Sequence, residues 1–156
     1  MQNVDILLVE DNDADVVLVR EALKDAKVYN NLHVVNDGEQ ALDFLRHDSS
    51  INPAKSTPGL ILLDLYMPKL SGMEVLEAIK NDPKLRTIPV VMMTSSREES
   101  DVVQAYELQA NCYVIKPVDF EQMITVIKSI ENFWLSVVQL PMMMGGGEGL
   151  KLGRRS

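Results

Sequence analysis

Five short apolar runs, separated by stretches of helical spacing, constrain this chain more than any other feature. Val4 to Val9, Leu60 to Leu63, Val90 to Met93 and Cys112 to Ile115 are rich in Val, Ile and Leu and close to continuous, and Leu32 to Val35 adds a weaker fifth. Runs that do not alternate suit parallel strands covered on both faces, because neither side of such a strand meets water. Leu18, Val19, Ala22, Leu23 and Ala26 share one helical face after the first run; Met73, Leu76 and Ile79 do so after the third, and Met123, Ile127, Ile130 and Trp134 after the fifth. A strand followed by a helix, five times over, predicts an α/β fold: a doubly wound parallel sheet with right-handed crossovers and helices on both faces.

Local signals agree with this segmentation. Ser71 with Glu74 and Ser96 with Glu99 have the spacing of a capping box, and Asp37 with Gln40 and Asp119 with Gln122 are looser versions. Pro58-Gly59, Pro68, Gly72, Asp82-Pro83 and Pro89 punctuate the boundaries. Residues 49–59 read as a long polar loop. From Pro141 onward the Met- and Gly-rich stretch holds no regular element well, so the expected division is one domain over 1–140 and a flexible tail over 141–156.

Of 156 residues, 46% are apolar, which is enough to build a single core at this length, and the net charge is −8. An acidic surface repels phosphate backbones and anionic lipid, which disfavours nucleic acid or a membrane surface as partner. Cys112 has no second cysteine to pair with, and no run reaches the ~18 apolar residues of a membrane span. A cytoplasmic protein is the expectation. Cys112 itself reads as a small buried hydrophobe, and His33 and His47 as surface or edge residues.

The polar residues that matter sit at the carboxyl ends of the strands. Glu10 and Asp11 follow the first run, Asp64 the third, Thr94 and Ser95 the fourth and Lys116 the fifth. In an open doubly wound sheet these ends line one rim, where ligands bind. Carboxylates gathered there repel by roughly 4 kcal/mol per pair at ~4 Å and an effective dielectric of ~20, so a cation must compensate. Mg²⁺ suits such oxygen ligands, and Lys116 supplies a point charge for a phosphate or carboxylate. With the Thr94 hydroxyl the set is like a phosphoryl-transfer site. Taken singly, Asp11 could be a helix cap and Asp64 an ordinary turn residue. Their joint placement with Thr94 and Lys116 favours chemistry.

The segments Leu7-Leu8-Val9-Glu10-Asp11-Asn12, Leu62-Leu63-Asp64-Leu65-Tyr66-Met67-Pro68, Gly72, Met93-Thr94-Ser95 and Tyr113-Val114-Ile115-Lys116-Pro117 make the chain resemble a response-regulator receiver domain of the CheY-like superfamily, from Val4 to about Trp134. The loop after the second helix and the ending Ile130 to Leu135 resemble the single-domain regulators of phytochrome-type histidine kinases. The resemblance implies a flavodoxin-like five-stranded sheet of order 2-1-3-4-5. It implies Asp64 as acceptor of a phosphoryl group from a kinase phosphohistidine. It implies Mg²⁺ held by Asp11 and Asp64, by Glu10 mainly through water, and by the backbone carbonyl of Tyr66. It further implies that Lys116 pairs with the active-site anion, that Thr94 moves onto the phosphoryl oxygens, and that Tyr113 turns inward as Thr94 leaves. The Lys116-Pro117 bond is cis in that family.

Departures from the chemotaxis pattern place bulky Tyr66 two residues beyond Asp64 and small Ser96 two beyond Thr94. Both overlook the path of attacking water, and the expectation is that they set the lifetime of the phosphoryl group, with the Tyr66 ring as a shield. Phe133 and Trp134, at the end of the last amphipathic stretch, are a candidate homodimer surface. The output would then be a changed protein-interaction surface rather than turnover, so the chain is not expected to be an enzyme. Two alternatives are weaker. An aspartyl-nucleophile phosphatase needs a second acid where Tyr66 stands. A degenerate, interaction-only receiver usually lacks the acidic pocket or the lysine. Nucleotide binding has no Gly-rich loop after the first strand to support it.

Overall fold

The computed structural model describes residues 4–27, 29–46, 57–116 and 119–137, with side chains to residue 129. The elements alternate as the apolar pattern requires: β1 (Val4–Val9), α1 (Asp13–Asp25), β2 (Asn30–Val35), α2 (Gly38–Arg46), β3 (Leu60–Leu63), α3 (Gly72–Lys80), β4 (Val90–Thr94), α4 (Glu99–Glu107), β5 (Cys112–Ile115) and α5 (Phe120–Val137). All pairings are parallel and the sheet order is β2-β1-β3-β4-β5, the flavodoxin-like arrangement. β2 starts two residues before its apolar run, because Val4 and Asp5 of β1 pair with Asn30 and Asn31. An edge strand tolerates those asparagines. Most of the 49–59 loop, Pro117 with its peptide bond, and the 141–156 tail lie outside the described residues.

The continuity of the apolar runs follows from two cores. Leu7, Val9, Ile61, Leu63, Val90 and Met92 face α2, α3 and α4, where they meet Ala41, Leu45, Val75, Leu76, Ile79 and Ala105. Their neighbours Ile6, Leu8, Leu60, Leu62, Val91 and Met93 face α1 and α5, against Val19, Ala22, Leu23, Met123 and Ile127. Successive residues of the three central strands therefore both need apolar side chains. Each fully buried one contributes about 1.5–3 kcal/mol. Cys112 is half-buried against the second core rather than fully enclosed.

Helix starts hold the loops of the rim in place. At α3 the capping box forms: Glu74 N donates to Ser71 Oγ at 3.2 Å and Ser71 N to Glu74 Oε1 at 2.9 Å. At α2, Gln40 N donates to Asp37 Oδ1 and Asn36 N to Gln40 Oε1. At α5, Gln122 N donates to Asp119 Oδ1. The box expected at Ser96 and Glu99 does not form. Glu98 takes the capping position of α4 without a side-chain bond, and the Ser96 hydroxyl instead accepts from Glu98 N and donates to Asp101. Gly72 is required by close approach: a Cβ there would lie 2.1 Å from the backbone oxygen of Asp64, and Gly72 N donates to Leu65 O at 2.7 Å. The first turn of α3 is thereby pressed onto the loop that carries Asp64.

Candidate functional site

Backbone pairing continues past the strands and sets the positions of the rim residues. Asp64 N donates to Val9 O, Glu10 N to Val35 O and Lys116 N to Thr94 O. Three of the functional residues thus extend the sheet ladder by one step, which fixes where their side chains begin. One carboxylate oxygen each from Glu10, Asp11 and Asp64 lies within 4.8 Å of the others. Glu10 and Asp64 are buried, and Asp11 is exposed at the mouth. Asp11 is not the helix cap, because the Asn12 side chain takes that role by accepting from Asp15 N.

Lys116 reaches across this group. Its Nζ lies 2.9 Å from Glu10 Oε1, 3.2 Å from Asp64 Oδ2 and 2.7 Å from Asp15 Oδ2. Asp15 is the residue that sequence reasoning missed. It stands in the first turn of α1, where an acid normally reads as a complement to the helix dipole. Nothing in the local sequence sets it apart from an ordinary first-turn acid.

Lys116 pairs with three of the four carboxylates gathered here, so acidic groups outnumber the one ammonium in the pocket. Burial pushes the Glu10 carboxyl up to about 7 against the opposing pull of Lys116, with the Asp64 charge adding to the rise. Burial works against the charged form of Lys116, yet its bonds to Asp15 and Glu10 and the charge of Asp64 outweigh that and hold its pKa above the ordinary value. The donor set is oxygen only, with two buried acids and one at the mouth, and so suits a hard divalent cation. Asn12, Tyr66 and Ser95 complete the walls.

The remaining expected residues flank this pocket. Thr94 is fully buried at the end of β4, and its hydroxyl oxygen accepts from Ser96 N at 3.4 Å. Tyr113 on β5 donates its hydroxyl to Ser96 O at 3.0 Å, and its backbone N donates to the Tyr106 hydroxyl. Burial raises the Tyr113 phenol pKa. The Tyr66 ring is exposed, and its hydroxyl donates to Asp101 Oδ2 on α4. Ser96 is buried and turned toward Asp101. Phe133 and Trp134 lie in α5, with side chains outside the described residues.

Residues 6–128 match the response regulator receiver domain family. The response regulator Rcp1 of Synechocystis sp. is 44% identical over 136 residues, which cover 87% of this chain and 92% of Rcp1. The crystal structure of the phosphorylated cyanobacterial phytochrome response regulator RcpA superposes with a TM-score of 0.80 at 44% identity, over 90% of this chain and 99% of RcpA. The Mn²⁺-bound form of Rcp1 gives 0.77 at 43% identity, over 88% of this chain and 99% of that one.

Proposed function

The chain belongs to the response regulator receiver domain family, and from that premise we propose that Asp64 is the residue on which it carries its signal. The observation that carries this reading is the convergence of Lys116 Nζ on Asp64 Oδ2 at 3.2 Å, beside Glu10 and Asp11 at one rim. An Asp64 oxygen attacks the phosphorus of a kinase phosphohistidine, the P–N bond breaks, its electron pair returns to the imidazole, and an acyl phosphate remains on Asp64. Lys116 holds the Asp64 carboxylate in place and then shares the charge of the phosphoryl oxygens. Thr94 turns its hydroxyl to the same oxygens, and Tyr113 moves into the space it leaves.

Mg²⁺ is the cation assigned here: Asp11, Asp64, Glu10 and the Tyr66 carbonyl would hold it, and it would supply charge neutralisation at the transferring group. That Rcp1 has a Mn²⁺-bound form supports a divalent ion as the ligand of such an oxygen-only cluster. The phosphoryl donor proposed is a phytochrome-type histidine kinase, on the strength of RcpA. The chain acts by protein contact and not by turnover. Phe133 and Trp134 are proposed as the surface for self-association, and a cytoplasmic setting accords with the lone Cys112 and with the absence, among the described residues, of a helix long and apolar enough to cross a membrane.

The test is intact mass after incubation with acetyl phosphate. Wild-type protein with Mg²⁺ gains one phosphoryl group, and neither Asp64→Asn nor wild type in chelator does. An unmodified wild-type protein under these conditions would overturn the assignment and favour an interaction-only role.

A further inference from the structure

Two hydroxyls converge on one carboxylate oxygen beside the pocket. Asp101 Oδ2, in the first turn of α4, accepts from Tyr66 Oη at 2.8 Å and from Ser96 Oγ at 2.5 Å. Tyr66 comes from the loop after β3 and Ser96 from the loop after β4, so a single acid on a third element ties the two together. Ser96 is a hub in its own right. Its N donates to the Thr94 hydroxyl, its carbonyl accepts from Tyr113 Oη, and its hydroxyl accepts from Glu98 N.

We propose that Asp101 is a positioning residue that latches the Tyr66 ring across the mouth of the acidic pocket, and that it governs the lifetime of the phosphoryl group by keeping water from the phosphorus. The inference rests on the reading of Asp64 as phosphoacceptor. Tyr66 lines the pocket, yet the residue is 59% exposed and packing alone holds it weakly. A phenol with that much solvent around it samples several rotamers unless a polar tether selects one. Asp101 provides the tether, and a charged acceptor makes a stronger bond than a neutral one.

Loss of the phosphoryl group is hydrolysis. A water oxygen attacks phosphorus opposite the Asp64 oxygen, the bond from phosphorus to Asp64 breaks with its electron pair returning to the carboxylate, and the water proton leaves with the phosphate. A ring fixed over that approach blocks the water without touching the reacting atoms. The same tether gives α4 a stake in the state of the site. Thr94 bonds Ser96 N, so a Thr94 hydroxyl that turns to the phosphoryl oxygens gives up a contact with the residue that shares Asp101 with Tyr66. The latch is therefore joined by hydrogen bonds to the residue that senses phosphorylation.

The full chain is phosphorylated with acetyl phosphate and Mg²⁺, the donor is removed, and the decay of the adduct is followed by intact mass for wild type, Asp101→Ala, Asp101→Asn, Tyr66→Phe and the Tyr66→Phe/Asp101→Ala double variant. Asp101→Ala and Tyr66→Phe are each expected to shorten the lifetime about fivefold, the factor one hydrogen bond of ordinary strength supplies. The double variant decays no faster than either single one, and Asp101→Asn, which keeps an acceptor oxygen, lies between wild type and Asp101→Ala. Tyr66→Phe removes the same bond without changing any residue of α4, and so separates the latch from the other effects of substituting Asp101. Wild-type lifetimes in both single variants, or single effects that multiply in the double one, would overturn the latch while leaving Asp64 as acceptor. A wild-type protein that gains no phosphoryl group would overturn both.

Discussion

Lys116 shows how a single side chain can be under several constraints at once. Its backbone extends the β4–β5 pairing, and its ammonium is shared among Glu10, Asp15 and Asp64. Asp15 holds it at the shortest of the three distances, 2.7 Å, and so keeps part of its charge on the α1 side of the pocket. Asp15→Asn removes one negative charge from the surroundings of the cation and lets Lys116 move toward Glu10 and Asp64, where it competes with a divalent ion. Both changes act in the same direction. Mg²⁺ affinity measured by isothermal titration calorimetry is therefore expected to fall several-fold, and an unchanged affinity would mean that Asp15 does no more than complement the helix dipole. Asp15 was hidden in the sequence because an acid in a first helical turn has an ordinary explanation. Asp101 was hidden for the same reason, since it too lies in the first turn of its helix.

At the scale of elements, the junction of β3 with α3 joins folding to the site. The Ser71 box and the glycine beside it do different things there. Ser71→Ala removes a cap from an exposed helix start and is expected to cost about 1 kcal/mol in denaturant unfolding, with phosphorylation intact. Gly72→Ala must push α3 off the Asp64 and Leu65 backbone, because the added carbon has only backbone to displace. Its expected cost is about 3 kcal/mol, the upper part of the range for overpacked positions, together with slower phosphorylation of Asp64. Equal effects of the two substitutions on both readouts would contradict this division. The α4 start illustrates the limit of local spacing: Ser96 and Glu99 have the box interval, but Asp101 and Glu98 N engage the serine hydroxyl instead.

For the whole molecule, the rim sets folding stability against charge. Glu10 has a folded-state pKa raised from 4.5 to about 7, so folding disfavours its ionised form. The stability this group contributes is complete below 4.5 and is lost as pH rises through about 7. In chelator, the melting temperature is expected to decline over that interval, less steeply in Glu10→Gln. With Mg²⁺ as the proposed ligand of the ionised site in the folded chain only, the ion is expected to reverse the effect, by about 2.7 kcal/mol at one hundred times Kd. Thermal unfolding with and without Mg²⁺ at pH above 7 checks this: wild type should melt higher with the ion, and Asp11→Asn should not respond.

The sequence by itself determined the five β-α units, the parallel sheet and the strand ends at which Glu10, Asp11, Asp64, Thr94 and Lys116 stand. It could do so because two-sided burial demands unbroken apolar runs, and because a residue just past a run is placed at the rim by the ladder itself. Tertiary structure alone decided which side chains from separate helices reach that rim. Asp15 on α1 meets Lys116, 101 residues away in the chain, and Asp101 on α4 meets Tyr66, 35 residues away. Contacts at such separations leave no periodicity to read, since they depend on how the helices pack against the sheet and on which rotamers that packing allows.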